Sequence, residues 1–289
     1  MKKKNQKFWI FLFLSPSLFG LLIFVALPIL ASLGLTFFEW DMLTPPNFVW
    51  FSNFTRLFAD ENFWQSLKHT LGFILGYIPL VIITSLSAAL LLDQKLFGRK
   101  FLRTAFFIPV VSAWVAVALL WMWIFNPKFG LLNYLLSLIG IVGPAWLYDP
   151  AWAMPAIILT SVWKDTGFFM VMFIAGLQNI PEMYYEASKI DGANRLNRFF
   201  RITLPLLSPV TFFVTIMALI NSFQVFDQVW IMTQGGPAGA TSVVVEQIVK
   251  NAFAYSRMGY ASTISWALFI MVFSATIIQM WAQKRWVNY

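Results

Sequence analysis

The chain has 289 residues, of which 60% are hydrophobic and only 11% charged, with a formal net charge of +8. A water-soluble domain carries about 25% charged residues, so a soluble globular fold is excluded for the bulk of the chain. There is no cysteine, which excludes disulfides and thiolate metal sites.

The apolar residues fall in blocks. Six of them reach the ~20 residues needed to cross a bilayer. In chain order they are 8–27, 70–92, 106–125, 155–177, 206–226 and 264–281, and the first could run on to Phe38. Helices are expected, because a lipid-facing backbone must satisfy its own hydrogen bonds. Runs such as Pro79-Leu80-Val81-Ile82-Ile83 lack the alternation of a barrel strand. Lys2, Lys3, Lys4 and Lys7 ahead of the first block look like the front of a signal peptide. The block itself is longer than the usual signal core of about 7–15 residues, so a retained span is expected. The stretches 39–69 and 227–263 are too short for a separate domain of about 50 residues or more. The expectation is therefore an all-α membrane protein with six transmembrane helices, one membrane domain over 1–289, without a clear internal repeat.

Fourteen of the twenty basic residues lie in the N-terminus, the second loop (Lys95, Arg99, Lys100, Arg103), the fourth loop (Lys189, Arg195, Arg198, Arg201) and the tail (Lys284, Arg285). Positive residues stay cytoplasmic, so both termini and these two loops are expected on that side. Trp121, Trp123, Trp146 and Trp281 sit near span ends, where amphipathic rings anchor at the interface. The positive charge needs no nucleic acid, since no basic stripe is interleaved with base-stacking aromatics. No phosphate-cradling loop is present: Gly98-Arg99-Lys100 lacks the earlier glycine and the 235–239 segment has no following lysine. His69 is the lone histidine and reads as a solvated or interfacial residue near the start of the second span.

The fourth loop, 178–205, is the one polar stretch with local order. Pro181 and Glu182 suit the first turn of a helix. Tyr184, Ala187 and Ile190 then share a face, and Asp191-Gly192 ends the helix. Asp191 or Asn194 caps a second helix, on which Arg195, Arg198 and Arg201 form a stripe suited to anionic membrane lipid. Pro205 and Pro209 mark the entry to the fifth span.

Charge within spans is costly and marks a cavity or a partner. Lys164 and Asp165 lie mid-way along the fourth span, adjacent and therefore about 100° apart on a helix. An inter-helix ion pair and a path-lining role are both open. Asn221, Gln224 and Asp227 recur at three-residue steps at the outer end of the fifth span, where Trp163, Phe223 or Phe226 could stack on a sugar ring. Polar helix–helix contact is the competing account.

In spacing and identity, Glu186, Ala187, Asp191, Gly192, Ala193, Ile202, Leu204 and Pro205 resemble the cytoplasmic "EAA" loop of permease subunits of ATP-binding-cassette (ABC) importers. Ser188 stands where that pattern has its second alanine. Phe226-Asp227, Met232-Thr233-Gln234-Gly235-Gly236-Pro237, Thr241 and Gly259-Tyr260-Ala261 look like the external loop of carbohydrate-uptake permeases for maltose, trehalose or glycerol-3-phosphate type solutes. The resemblance implies a type I importer permease with a cytoplasmic coupling helix in the bacterial inner membrane. It implies that Glu186, Ala187, Ser188, Asp191, Gly192, Ala193, Leu204 and Pro205 meet an ATPase, and that Thr233, Gly235, Gly236 and Pro237 lie on the binding-protein side. The implied partners are a second homologous permease, two ATPase subunits that bind ATP and Mg, an extracytoplasmic solute-binding protein and a sugar-like solute; this chain would hold no cofactor and catalyse nothing. The rivals are a self-contained ion-coupled transporter, which needs an ion site and usually repeated halves, and a membrane enzyme, which needs a convergent catalytic cluster.

Overall fold

Long apolar segments surrounded by lipid have no alternative to helix, and the fold, a computed structural model describing residues 3–94, 97–285 and 287, is built accordingly. Lys2 and Lys95 lie outside the described residues, as do the side chains of Lys3, Lys4, Lys7 and Arg285. In chain order the elements are α1 (Phe8–Leu35), β1 (Phe38–Glu39), β2 (Asn47–Phe48), α2 (Ser52–Ala59), α3 (Glu61–Asp93), α4 (Arg99–Val111), α5 (Trp114–Ile124), α6 (Leu131–Leu138) and α7 (Pro150–Gln178). They continue as α8 (Glu182–Ile190), α9 (Arg195–Leu206), α10 (Ser208–Phe223), α11 (Asp227–Met232), α12 (Val244–Val249) and α13 (Met258–Ala282).

Four of the expected spans are single helices, α1, α3, α7 and α13, each longer than its apolar block. The third and fifth expected spans are bent pairs. α4 and α5 meet at 103°, and α9 and α10 at 65°. The first bend comes from two extended residues, Ser112 (ψ 139°) and Ala113 (ψ 140°), which interrupt the helical ladder just after Pro109. The second falls at Leu207, between Pro205 and Pro209. In α1 a π-turn, Leu22–Ala26, sits before Pro28, whose ring and missing N–H disturb the α ladder.

The chain forms two compact units. One comprises Met1–Phe63 and Gln247–Leu268. Its two-stranded ladder pairs Phe38 with Phe48 and Glu39 with Asn47. Buried Asn53 on α2 donates to the carbonyls of Thr36 and Phe38, both at 2.9 Å, and so fixes the exit from α1. Gly259 lies so close to the Phe38 carbonyl that a β-carbon there would strike it. The Tyr260 hydroxyl donates to Asp60 at 2.5 Å, beneath the Arg56 guanidinium 4.6 Å from the ring centroid. In the exposed 41–44 turn, Asp41 accepts from the Leu43 and Thr44 amides. The Thr44 amide bond, then that of Leu43, holds its carboxyl below the ordinary value. The side chains of α1 are exposed over nearly its whole length.

The second unit comprises Trp64–Glu246 and Phe269–Tyr289. Its core gathers on α7, whose Ile157, Phe169, Met170 and Phe173 are fully buried against Phe73, Tyr77, Phe125 and Leu207. Within a bilayer such packing is held by dispersion and close contact more than by exclusion of water.

Candidate functional site

α7 starts cleanly. The Asp149 carboxylate caps it by accepting from the Ala151 amide at 2.9 Å, and Pro150 occupies the first turn. Thr160, Ser161 and Thr166 bond back to the carbonyls four residues earlier, at 3.0, 2.8 and 2.6 Å, so their hydroxyls are satisfied within the span. Gly167 allows α4 to approach: a β-carbon there would run into the Phe106 carbonyl. This approach sets the open end of α4 against Lys164.

Lys164 is buried, and its ammonium donates to three carbonyls, those of Pro109 at 2.9 Å, Val110 at 3.0 Å and Ser112 at 3.0 Å. These lie at the end of α4, where the helix dipole is negative and the last carbonyls run out of intrahelical donors, Pro109 O accepting also from the Ser112 amide at 3.3 Å. The Trp114 ring, at the start of α5, lies 5.0 Å from the ammonium. Lys164 therefore caps a broken helix. Among the described residues its hydrogen-bond partners are these carbonyls and no carboxylate, and it does not line the cavity described next.

Asp165, one residue on, points elsewhere. Its Oδ2 accepts from the Tyr77 hydroxyl at 2.6 Å, and Tyr77 stacks on Phe73 at 5.3 Å and 12°. Beside them opens a cavity of about 260 Å³, lined by Phe73, Tyr77, Trp114, Ser161, Asp165, Asn221, Gln224, Val225, Phe226, Asp227 and Gln228. Five expected residues thus come together: Asp165, Asn221, Gln224, Phe226 and Asp227. They do so without a continuous helix, since α10 ends at Phe223 and α11 begins at Asp227. Phe226, at φ −150° and ψ −61°, turns the chain between the two.

Trp163 and Phe223 lie outside this lining. Trp163 meets Trp121 edge-on at 5.6 Å and borders an apolar groove of about 680 Å³ with Ile83, Leu91, Phe106 and Leu159. Phe223 is packed in the interior. Tyr77, Trp114, Ser161 and Gln228 were missed by sequence reasoning. A search for a hydroxyl able to meet Asp165 would have singled out Tyr77 in the second apolar block. Nothing local marks the other three.

α8 begins one residue after Pro181, which serves as its N-cap. Gly192 at φ 72° ends it, with the Ala193 amide donating to Ser188 O at 2.9 Å and the Gly192 amide to Lys189 O at 3.1 Å. Asn194, not Asp191, caps the next helix, accepting from the Asn197 amide at 2.8 Å. Glu186, Ala187, Tyr184 and Ile190 are exposed, Ile190 to 87%. Ser188 is buried and donates to Tyr185 O at 2.8 Å. The Tyr185 hydroxyl meets Thr203 Oγ1 at 3.1 Å, tying α8 to α9. Leu204 and Pro205 sit at the end of α9, half-buried.

The 233–241 loop is tightly wound. Gln234, Gly235, Ala238 and Gly239 all have positive φ, and the Gly236–Pro237 bond is cis. Thr233 and Thr241 hydroxyls meet at 2.8 Å, and Thr241 donates to Gly236 O at 2.6 Å. Glu246 is fully buried below, accepting from Ser242 at 2.6 Å, with its carboxylate where a β-carbon on Gly235 would go. His69 Nδ1 lies 3.1 Å from Ser242 O and so braces the same loop.

The chain is thus a multi-span helical membrane protein with a polar cavity between its helices and a short exposed helix between two spans. Residues 81–287 match the family described as the binding-protein-dependent transport system inner membrane component, and the chain belongs to that family. It is 39% identical over 282 residues to the probable ABC transporter permease protein YesP of Bacillus subtilis, covering 96% of this chain and 91% of that one. It is 35% identical over 271 residues to the trehalose/maltose transport system permease protein MalF of Thermococcus litoralis, covering 93% and 92%. It is 36% identical over 280 residues to the lactose transport system permease protein LacF of Rhizobium radiobacter, covering 95% and 93%. Among solved structures, the fold matches a chain of the bacterial alginate ABC transporter in complex with alginate pentasaccharide-bound periplasmic protein. The TM-score is 0.82 at 23% identity, covering 97% of this chain and 96% of that one. The fold is that of a type I importer permease.

Proposed function

We propose that this chain forms one half of the pathway of an ABC importer for a sugar or sugar-like solute, the 260 Å³ cavity being part of the path. The observation that carries this reading is the cavity's lining. Amides, two hydroxyls and two carboxylates stand beside aromatic faces among helices apolar enough to span a bilayer, where polarity is otherwise costly. Di- and oligosaccharides, glycosylated polyols and glycerophosphates present the hydroxyls such a lining would bind. The trehalose/maltose and lactose names of relatives support the class.

The exposed face of α8, with Glu186 and Ala187, docks on an ATPase, and Gly192 holds its angle. Thr233, Gly235, Gly236 and Pro237 face the solute-binding protein. The chain itself neither binds ATP and Mg nor hydrolyses anything. A second homologous permease completes the path, and two ATPases dock on the cytoplasmic side, where both termini lie. Closure of the ATPase pair moves α8, and the Tyr185–Thr203 contact passes that motion to α9 and the fifth span. Membership in the binding-protein-dependent family weighs against a self-contained ion-coupled carrier.

The test is reconstitution of the complex in vesicles with its binding protein. Solute uptake and ATP hydrolysis are measured for wild type and Asp165→Leu. The expected result is lost uptake with the ATPase still co-purifying. Unchanged uptake kinetics would remove the cavity from the path.

A further inference from the structure

The cavity holds two carboxylates, Asp165 and Asp227, and none of the described residues lining it is Lys, Arg or His. The cation next to Asp165 in sequence is already committed. An ammonium has three N–H groups. Lys164 places its Nζ within 3.0 Å of three carbonyls and 5.0 Å from the Trp114 ring centroid, so no donor remains for a solute. The other polar side chains are neutral: Ser161 donates to Ile157 O and accepts from Gln228 Nε2 at 3.2 Å, Tyr77 donates to Asp165, Trp114 carries an indole N–H, and the Asn221 and Gln224 amides both donate and accept.

Neutral hydroxyls fit such a lining in either sense. An acidic group does not: it would meet two acceptor-only carboxylates against one ammonium, Lys164, which stands behind the Trp114 ring with its N–H groups taken by carbonyls, so the wall carries an excess of negative charge and offers no cationic donor. Discrimination by an uncompensated like charge is stronger than discrimination by a missing contact. Resting on the reading of the cavity as the path, we propose that Asp165 and Asp227 make this chain's wall selective for neutral polyhydroxylated solutes and against uronates, sulfonates and phosphates. Of the solute classes considered above, glycerophosphates are thereby set aside.

The chain has no cysteine, so Asn221→Cys gives it a single thiol at an exposed position on the cavity wall. In the assembled complex without binding protein, this thiol is labelled with two methanethiosulfonates of similar size, one bearing trimethylammonium and one sulfonate. Labelling of this chain is read by mass. The same rate ratio is taken at Ser137→Cys, an exposed reference position outside the cavity. The cationic reagent should be preferred in the cavity by roughly tenfold over the reference ratio. Adding Asp165→Asn and Asp227→Asn should bring the ratio back to the reference. A reference-like ratio in the singly substituted chain overturns the proposal. Labelling is also compared between nucleotide-free and ATP-trapped complexes. A rate that does not change between them overturns the reading as a path and the proposal with it, whereas a changing rate with a flat charge ratio overturns the proposal alone.

Discussion

Replacing Lys164 with methionine keeps an unbranched side chain one atom shorter and removes its charge and all three donors. The carbonyls of Pro109, Val110 and Ser112 lose bonds of 2.9, 3.0 and 3.0 Å. At about 0.6–1.5 kcal/mol each, the loss is about 2–4.5 kcal/mol. Against it stands the removal of a charge from the middle of a span, worth about 2.5–3.5 kcal/mol on insertion scales. The two nearly cancel, so Lys164→Met should insert, assemble and accumulate close to wild type. What does not cancel is geometry. The α4–α5 bend and the Trp114 ring lose their common anchor, and Trp114 lines the cavity. Uptake in vesicles should therefore fall by roughly tenfold or more while complex yield by size exclusion holds. Lys164→Arg keeps the charge, but its planar fork does not converge on three carbonyls, so it should fall between the two. Wild-type uptake in Lys164→Met would refute the positioning role, and a chain that fails to assemble would refute the energetic balance.

Gly192→Val places a β-branched residue at φ 72°, a strain of about 1–2 kcal/mol, with nothing within 4 Å to clash. The chain should insert normally but lose solute-stimulated ATP hydrolysis in vesicles, as should Glu186→Lys; normal stimulation in both would remove α8 as the coupling element. Gly167→Ala drives a β-carbon into the Phe106 carbonyl, so α4 must move off α7; about 1–3 kcal/mol of destabilisation is expected as a lower midpoint in thermal scans of the purified complex. Gly235→Ala combines φ 82° with a clash on the buried Glu246 carboxylate. It should abolish stimulation by loaded binding protein while leaving basal ATPase activity, and retained stimulation would detach this loop from the binding-protein face.

The architecture was legible because a bilayer leaves the chain little choice. A run of about 20 apolar residues has no partner for its amides except itself, so α1, α3, α7 and α13 follow from length and composition. The α8 turn was legible for a similar reason: Gly192 and Asn194 carry local backbone signals that act within four residues. The bend between α4 and α5 was not legible. Ser112 and Ala113 have no turn signature, and their extended conformation is stabilised by Lys164, 52 residues away from Ser112. Nor did spacing reveal that Lys164 and Asp165 serve different elements, one capping α4 and the other meeting Tyr77, 88 residues distant. Trp163 and Phe223, placed near the solute by proximity in sequence, face an apolar groove and the interior. Composition and local pattern determine where the chain must be helical and where it turns, since those preferences act within a few residues. Which polar side chains share a cavity, and which are consumed in holding it open, is decided by contacts between residues far apart in sequence, and those exist only once the helices are packed.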